Sequence, residues 1–383
     1  MKNWKDSFRF QSGVKIDNRI ILAPLTTSSG TTEGGLSSND IPFLLHRSKG
    51  FGAIILGSHS ISSNGSAFSG GWNIYNKCNH EPLAKIVKQF HNQGVKIFIQ
   101  IYHAGRLAQP SFIGGQQPVA PSRVPAIRKF ASYPKELTIS EINEIIEDFR
   151  QATKTAILLG FDGVELHGAN TYLIQQFYSP HSNRRTDEWG GERDKRLKFP
   201  LKVIEACHEE IKRTSKKPFV LGYRFSPEEY ETPGIRLEDT CYFLNQITRK
   251  SILDYLHISI NDFRKKSIEG KGIIETVIAS LNTNIPLIGC GRIHTIKDVQ
   301  NVMKIVPLFS VANAAIIDPN WAVKIINDGE GLRDRIKLNE QSTLKIPQNL
   351  WEMLLQSPSE YFLSERDKEM QSPKNSIPLP LRE

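Results

Sequence analysis

The alternation of short apolar runs with longer amphipathic segments restricts the fold of this chain more than any other feature of its sequence. The runs are rich in β-branched and aromatic residues and are often flanked by Gly or Pro, which is typical of buried strands. Eight segments fit this description: residues 19–25, 53–56, 95–101, 162–167, 219–225, 254–259, 285–288 and 308–312. Strand–helix alternation with short links indicates a parallel sheet. Eight such units in roughly 330 residues predict closure into a (β/α)8 TIM barrel of the α/β class.

The segments between the runs have the spacing of amphipathic helices. The clearest one opens with a T-x-x-E capping box at Thr138 and Glu141 and stops at Gly160. Another has its apolar residues from Leu83 to Phe90 and ends at Gly94. Further helices are expected at about 40–49, 194–213, 236–250, 271–281, 295–304 and 319–328.

No low-complexity linker divides the chain, so we predict a single barrel domain over residues 1–333. It is expected to begin with an N-terminal hairpin. The Pro- and Gly-containing stretch 103–134 is predicted to be an inserted loop after the third strand, at the carboxyl end of the barrel. Residues 334–383 are expected to form a tail of weak structure that packs on the barrel or is partly mobile.

Cysteine use and charge exclude several classes of protein. The four cysteines are far apart and form no C-x-x-C pair, which predicts no metal site, no iron–sulfur cluster and no disulfide framework. This pattern is typical of a reducing cytoplasm, where we expect the protein to act. The polar start and the lack of about 18 consecutive apolar residues predict neither a signal peptide nor a membrane span. The net charge of +9 is scattered, which indicates a solvated surface that modestly favours dinucleotides and no nucleic-acid site.

The chemistry of an α/β barrel lies at the carboxyl ends of its strands. Selecting polar residues and glycines there by position alone returns one set: Thr26, Ser58, Gln100 with His103, His167 with Asn170 and Tyr172, Arg224, Gly289 with Gly291, and Asn313. This set offers hydrogen-bond donors, acceptors and a cation in the same region.

Several motifs resemble the signatures of the Old Yellow Enzyme family, and they occur in the same order. They are APLT at 23–26, QIYHAGR at 100–106, PVAPS at 118–122, GVELHGANTYLIQQFYSPHSNRRTDEWGG at 163–191, and GYRFSPEEY at 222–230. The resemblance covers about residues 8–330 and is most specific in H-x-x-N-x-Y and the run that follows it. It implies an FMN-containing (β/α)8 barrel that acts as an NAD(P)H-dependent ene-reductase.

The resemblance assigns substrate-binding and catalytic roles to three residues after the fourth strand. His167 and Asn170, three apart, are expected on one helical turn, where they donate two hydrogen bonds to one substrate oxygen. Such donors stabilise the negative charge that develops there by roughly 2–4 kcal/mol each. Tyr172 is expected to protonate the α-carbon. Tyr102 is predicted to shape the substrate pocket, although a core aromatic is an equally good interpretation.

The resemblance also assigns residues to the flavin ring. Thr26 is expected to hydrogen-bond the flavin O4, and Ser58 to present its backbone to the same edge. Gln100 is expected to pair with the pyrimidine edge, because an amide offers both a donor and an acceptor. Arg224 is expected near N1 and O2, where a permanent cation stabilises the reduced ring. Further predicted cofactor contacts are Pro24, Leu25 and His167.

The phosphate end departs from the family pattern. Gly289, Gly291 and Arg292 fit its first part, in the motif GCGR. The second part usually reads Gly-Arg in the family, whereas this chain has Ala312 and Asn313. We hypothesise that Arg292 supplies the missing cation; a weakly held FMN is the alternative.

The implied reaction is a ping-pong cycle. NADH or NADPH reduces the flavin, and the flavin N5 then passes hydride to an activated alkene that binds in the same space. Sharing one space agrees with the absence of a convincing GxGxxG motif after a strand. Two alternatives stay open: a non-redox phosphate-binding barrel, and a flavin-binding protein without turnover. A homo-oligomer is possible, and the sequence does not indicate the natural substrate.

Overall fold

Eight parallel strands close into one barrel in a computed structural model that describes residues 3–129 and 131–356. In chain order, barrel strands 1 to 8 are Ile20–Leu22, Ala53–Ser60, Lys96–Tyr102, Gly163–Gly168, Val220–Phe225, Tyr255–Ile258, Leu287–Gly289 and Leu308–Val311. Each strand pairs in parallel with the next, and strand 1 also pairs with strand 8, which closes the sheet. The eight predicted strands and the predicted barrel are therefore confirmed.

Helices surround the barrel. Those that follow the predicted pattern are Asp40–His46, His80–Asn92, Ile139–Leu158, Lys198–Thr214, Leu237–Thr248, Ile273–Ser280, Ile296–Met303 and Trp321–Ile326. The predicted helix at 194–213 is divided, because a separate turn, Arg193–Arg196, precedes its main part. The helices Leu173–Tyr178, Asn313–Ile317 and Gln348–Gln356 were not predicted.

The N-terminal hairpin closes the bottom of the barrel. Its strands, Phe8–Arg9 and Lys15–Ile16, pair antiparallel, as predicted. Phe10 and Val14 pack against barrel side chains such as Phe98, which lie in one apolar cluster. The bottom of the barrel is therefore filled by hydrocarbon, and polar side chains of the interior lie nearer the carboxyl ends of the strands.

The inserted loop after strand 3 covers part of the barrel mouth. It contains the 3-10 turns Gly105–Leu107 and Pro110–Phe112, and its short strand Val119–Ala120 pairs in parallel with Lys135–Glu136. Ala126 of this loop belongs to the apolar cluster that holds Tyr102 at the end of strand 3. The loop is thus anchored directly above the residues that were predicted to bind cofactor and substrate.

The part of the tail that the structure describes is better ordered than the sequence indicated. The helix Gln348–Gln356 buries Leu350, Trp351 and Leu354 in the cluster that also contains the core side chains of the surrounding helices. The expectation of weak structure is therefore wrong for this segment, because three apolar residues on one face suffice to dock a short helix. Residues 357–383 lie outside the described part, and the domain boundary after residue 333 stays a prediction.

Over residues 3–129 and 131–356, every helix is too short or too polar to cross a bilayer.

The predicted capping box is present and gives a test of the fold. The Thr138 hydroxyl accepts from the Glu141 backbone N–H at 3.3 Å, and a Glu141 carboxylate oxygen accepts from the Thr138 N–H at 2.9 Å. Thr138→Ala should lower the free energy of unfolding by about 1 kcal/mol, measured as a shift of the urea midpoint. Ser140→Ala, in the same first turn but outside the cap, is the control. Equal losses in the two variants would show that the cap contributes nothing specific.

Candidate active site

The polar residues inside the barrel follow from the period of two along each strand. Gln100 of strand 3 lies opposite Glu165 of strand 4. Two residues further along, strand 3 presents Tyr102 and strand 4 presents His167. Since side chains alternate between the two faces of a sheet, residues two apart point to the same side. Gln100 and Glu165 therefore form an inner layer, with Tyr102 and His167 above them at the mouth.

The inner layer is one continuous hydrogen-bonded network. Gln100 Nε2 donates to Glu165 Oε1 at 2.6 Å, and the Tyr255 hydroxyl donates to Glu165 Oε2 at 2.9 Å. His257 Nδ1 lies 2.8 Å from the same Oε2 atom, and its Nε2 lies 2.8 Å from the Ser310 hydroxyl oxygen. The network joins strands 3, 4, 6 and 8 through the interior, and its members are at most 1% exposed.

The charges of this network follow from burial and from the partners. Burial opposes ionisation of Glu165, but His257, Arg224 and the Gln100 amide together hold the pKa of its carboxyl below the usual value. Burial likewise opposes protonation of His257, but the Glu165 carboxylate raises the pKa of its imidazole above the usual value. Each group of this enclosed pair therefore favours the charged form of the other.

Arg224 supplies a cation between the inner layer and the mouth. It is the last residue but one of strand 5, in register with His167 on one side and His257 on the other. One guanidinium nitrogen donates to the Ser259 hydroxyl at 3.3 Å, whereas Nε is buried without a partner in the described part of the chain. A buried donor without an acceptor destabilises the folded state unless a ligand accepts from it. This is consistent with the predicted position of Arg224 at a cofactor edge.

His167 is held as a neutral donor. Burial, followed by the nearby cations Arg224 and His257, lowers the pKa of its imidazole well below the usual value. Its Nδ1 accepts from the Ala169 backbone N–H at 3.4 Å, so the ring proton lies on Nε2. Nε2–H is thus the group that His167 can direct to a ligand oxygen.

Tyr172 lies against His167, in an aromatic group that also contains Tyr102 and Phe68. The rings of His167 and Tyr172 are 4.8 Å apart and nearly perpendicular, and Tyr102 lies 4.8 Å from Tyr172. Burial raises the pKa of Tyr172 to about 12, although the charge of Arg128 on the inserted loop acts in the opposite direction. The phenol is therefore protonated at neutral pH, as a proton donor must be.

The structure does not place Asn170 as the sequence spacing suggested. Asn170 and Thr171 both have positive φ, at 55° and 59°, so the predicted helical turn after His167 is absent and the helix begins only at Leu173. The expectation of one shared helical face is wrong for this reason. The Asn170 side chain is exposed, and its Oδ1 accepts from the Ser259 hydroxyl at 3.0 Å, while His167 packs toward Tyr102. The carboxamide NH2 of Asn170 is left to donate.

Thr26 and Ser58 lie together at the ends of strands 1 and 2. They line a recess of about 140 Å³ together with Phe68 and Trp72. Next to them, an added Cβ on Gly57 would lie 2.6 Å from the Gln100 Cβ and 3.4 Å from Pro24. Leu25 is buried at the same end of strand 1. The residues predicted for the flavin edge therefore lie close to one another.

The predicted phosphate end lies after strands 7 and 8. Gly291 has φ +96°, and an added Cβ would approach the Asp262 backbone nitrogen to 2.6 Å, so a side chain is excluded there. Gly289 packs on Val302 and Val306. The guanidinium of Arg292 lies 3.9 Å from Asp262 Oδ2, and its side chain is 51% exposed. Ala312 precedes the helix Asn313–Ile317, whose first residue is the asparagine that replaces the usual arginine.

The inner layer contains the functional candidates that the sequence analysis missed. Glu165, Tyr255 and His257 were overlooked because only residues at strand ends were selected. The signal was present, since Glu165 is two residues before His167, and His257 is two residues before Ser259. Polar residues at alternate positions of a strand that should be apolar on both faces indicate an interior polar layer.

The donor set fits FMN. The unpartnered Arg224 Nε suits the electron-rich N1–O2 edge of a flavin, and the Gln100 amide suits its pyrimidine edge. The mouth is closely packed, because Gln100 is 1% and His167 4% exposed.

A barrel whose mouth combines an amide edge with a permanent cation suits a flat, polar heteroaromatic ring, and this defines the class of flavin-binding oxidoreductase barrels. Residues 8–330 match the profile of the NADH:flavin oxidoreductase / NADH oxidase family. The chain belongs to this family, which is that of Old Yellow Enzyme. The predicted family is thereby confirmed.

Individual proteins agree with this assignment. The chain is 41% identical over 379 residues to an NADH:acrylate oxidoreductase of Vibrio harveyi, covering 96% of this chain but 38% of the relative. It is 37% identical to a Bacillus subtilis protein named as an NADH-dependent flavin oxidoreductase, covering 91% of this chain and 95% of the relative. The structure of morphinone reductase with tetrahydroNAD superposes with a TM-score of 0.73 at 26% identity, covering 85% and 91% of the two chains.

The phosphate hypothesis gives a direct test. If Arg292 neutralises the FMN phosphate, Arg292→Ala should weaken FMN binding about 10- to 100-fold, the worth of one charged hydrogen bond. Fluorescence titration of flavin-stripped protein measures this affinity. Arg292→Lys keeps the charge and should retain most of it. Arg264→Ala, which removes another arginine that pairs with Asp262, is the matched control. Unchanged FMN retention in Arg292→Ala would contradict the hypothesis.

Proposed function

We propose that this chain is an ene-reductase that reduces the C=C bond of small α,β-unsaturated carbonyl or nitro compounds, using NADH or NADPH in a ping-pong cycle. The observation that carries the proposal is the pairing of a neutral His167, whose Nε2–H is available, with a protonated Tyr172 at 4.8 Å. Reduction of an activated alkene needs both groups: a donor to the activating oxygen and a proton for the α-carbon.

The residues of the chain divide this work. FMN, when bound, relays hydride from the nicotinamide to the alkene. His167 Nε2–H donates to the carbonyl or nitro oxygen and stabilises the charge that develops there, by roughly 2–4 kcal/mol. The NH2 of Asn170 adds a second donor when its side chain turns from Ser259 toward the mouth. Tyr172 transfers its proton to the α-carbon of the substrate. Its raised pKa keeps the phenol protonated until the substrate carbon becomes more basic than the phenolate.

The relatives bear on the substrate only in part. The name of the Vibrio harveyi protein includes acrylate, an activated alkene, but this chain spans 38% of its length, so the name does not say which part of that protein reduces the alkene. The other predictions (homo-oligomer, cytoplasmic location, contact residues of the cofactor and the substrate) stay predictions. Neither the non-redox barrel nor the flavin carrier without turnover is favoured by any observation.

Anaerobic mixing tests the reaction class. NADH or NADPH should bleach the absorbance of the bound FMN, and 2-cyclohexenone added afterwards should restore it, as followed by stopped-flow absorbance. Bleaching without recovery on the enone, on acrylate or on a nitroalkene would contradict the ene-reductase proposal and indicate a barrel that only oxidises NAD(P)H. Failure of both nucleotides to bleach the flavin would contradict turnover altogether.

Tyr172→Phe separates the two half-reactions. Flavin reduction by NAD(P)H should be nearly unchanged, whereas reoxidation by 2-cyclohexenone should slow about 100- to 10,000-fold, because only the second step needs the phenolic proton. Tyr178→Phe is the matched control, since that hydroxyl donates to the Asp239 carbonyl at 2.7 Å among the outer helices. Equal slowing of both steps in Tyr172→Phe would argue against a proton donor.

A further inference from the structure

We infer that Glu165 is a positioning residue that fixes the orientation of the Gln100 amide, so that the amide oxygen is available to accept from the N3–H of the flavin pyrimidine. The inference rests on the proposed placing of the pyrimidine edge at Gln100. It assigns a role to a carboxylate that lies below the cofactor site and contacts no substrate.

The first step concerns the hydrogen bonds that the two carboxylate oxygens of Glu165 accept. Oε1 accepts from Gln100 at 2.6 Å, and Oε2 accepts from Tyr255 and His257 at 2.9 and 2.8 Å. An ionised carboxylate only accepts hydrogen bonds, so each of its three neighbours has to present a donor. For Tyr255 and His257 this determines where a proton lies. For Gln100 it determines which end of the amide faces Glu165.

The second step concerns the other end of Gln100. Because Nε2 faces Glu165, the amide oxygen Oε1 lies at the opposite corner of the amide. It is close to strand 2, where Gly57 has no side chain and an added Cβ would lie 3.2 Å from Oε1, so the absence of a side chain leaves this approach to the backbone alone. A flavin presents one N–H on its pyrimidine edge, at N3, between two carbonyl groups. An amide oxygen matches N3–H, whereas an amide NH2 would match the carbonyls.

The third step is the reason for a charge in this position. A neutral group at Glu165 could donate as well as accept, and the Gln100 amide would then be free to take either orientation. Ionisation of Glu165 removes this freedom, and His257, which lies 2.8 Å from the carboxylate and is held on its other side by Ser310 at 2.8 Å, favours the ionised form of the carboxylate. Enclosed ion pairs rarely add stability over apolar packing, but they do specify one arrangement of their neighbours.

The test uses the isosteric variant Glu165→Gln in the flavin-stripped full chain, with FMN and N3-methyl-FMN as probes. In the wild type, FMN should bind more tightly than N3-methyl-FMN, which has no N3–H. In Glu165→Gln, the ratio of the two Kd values should fall about 3- to 10-fold, the worth of one neutral hydrogen bond, because the amide is no longer held. Any steric penalty of the methyl group is common to both proteins and cancels in this comparison.

A double-mutant cycle separates positioning from general destabilisation. In a Gln100→Leu background, Glu165→Gln should leave the Kd ratio unchanged, because the residue through which Glu165 acts is missing. Glu210→Gln is the matched control: this carboxylate is equally enclosed but is held by Arg150 and Arg213 outside the barrel, and its loss should not alter the ratio. If Glu165→Gln does not fold, Tyr255→Phe removes one donor to the carboxylate and enters the same cycle.

The outcomes are distinct. A Kd ratio that falls in Glu165→Gln but not in the Gln100→Leu background supports the inference. An unchanged ratio in Glu165→Gln, or an equal fall in both backgrounds, overturns it. If Gln100→Leu itself alters neither FMN affinity nor the ratio, the pyrimidine edge does not lie at Gln100 and the premise fails. None of these measurements depends on alkene reduction, so failure of the proposed function would appear separately, in the anaerobic mixing experiment.

Discussion

A carboxylate enclosed inside the barrel beside His257 and Arg224 constrains the interior more than any other group. Glu165 accepts three hydrogen bonds, and every neighbour has to adapt to an atom pair that cannot donate. The pKa of His257 is raised in response, and Tyr255 and Gln100 direct their hydroxyl and NH2 groups to the carboxylate. In the inferred binding mode, the atom that Gln100 offers to the cofactor is thus determined one layer below the cofactor site.

At the mouth, burial favours the uncharged form of each titratable group, whereas in the inner layer the partners Glu165 and His257 favour each other's charged forms. His167 has no carboxylate partner there, so burial and the neighbouring cations keep its imidazole neutral. Tyr172 keeps its proton because burial disfavours the phenolate. In these states His167 can donate a hydrogen bond and Tyr172 can donate a proton, which suits a site that has to bind an oxygen atom and protonate a carbon. The pKa values of the two histidines on neighbouring layers are therefore shifted in opposite directions although both side chains are enclosed.

The predicted phosphate end departs from the family pattern at Asn313. Asn313 begins a five-residue helix at the position where the family pattern has an arginine, and two other arginines, Arg264 and Arg292, lie near Asp262. Gly291 excludes a side chain at the point where the chain turns beside Asp262. Arg292 therefore stays the predicted source of a positive charge near the end of strand 7.

The sequence alone determined the eight strands and the N-terminal hairpin, and most of the outer helices, because hydrophobic periodicity and capping are local properties. It also selected the residues at the mouth, since strand ends can be counted. Two features depended on tertiary structure. The three-residue spacing of His167 and Asn170 suggested a shared helical face, but consecutive positive φ values turn the chain differently. The hydrogen bond between Glu165 and Tyr255 joins residues 90 apart, which only closure of the barrel brings into contact. Local patterns cannot encode such a pairing, because it arises from the register of strands that are not neighbours.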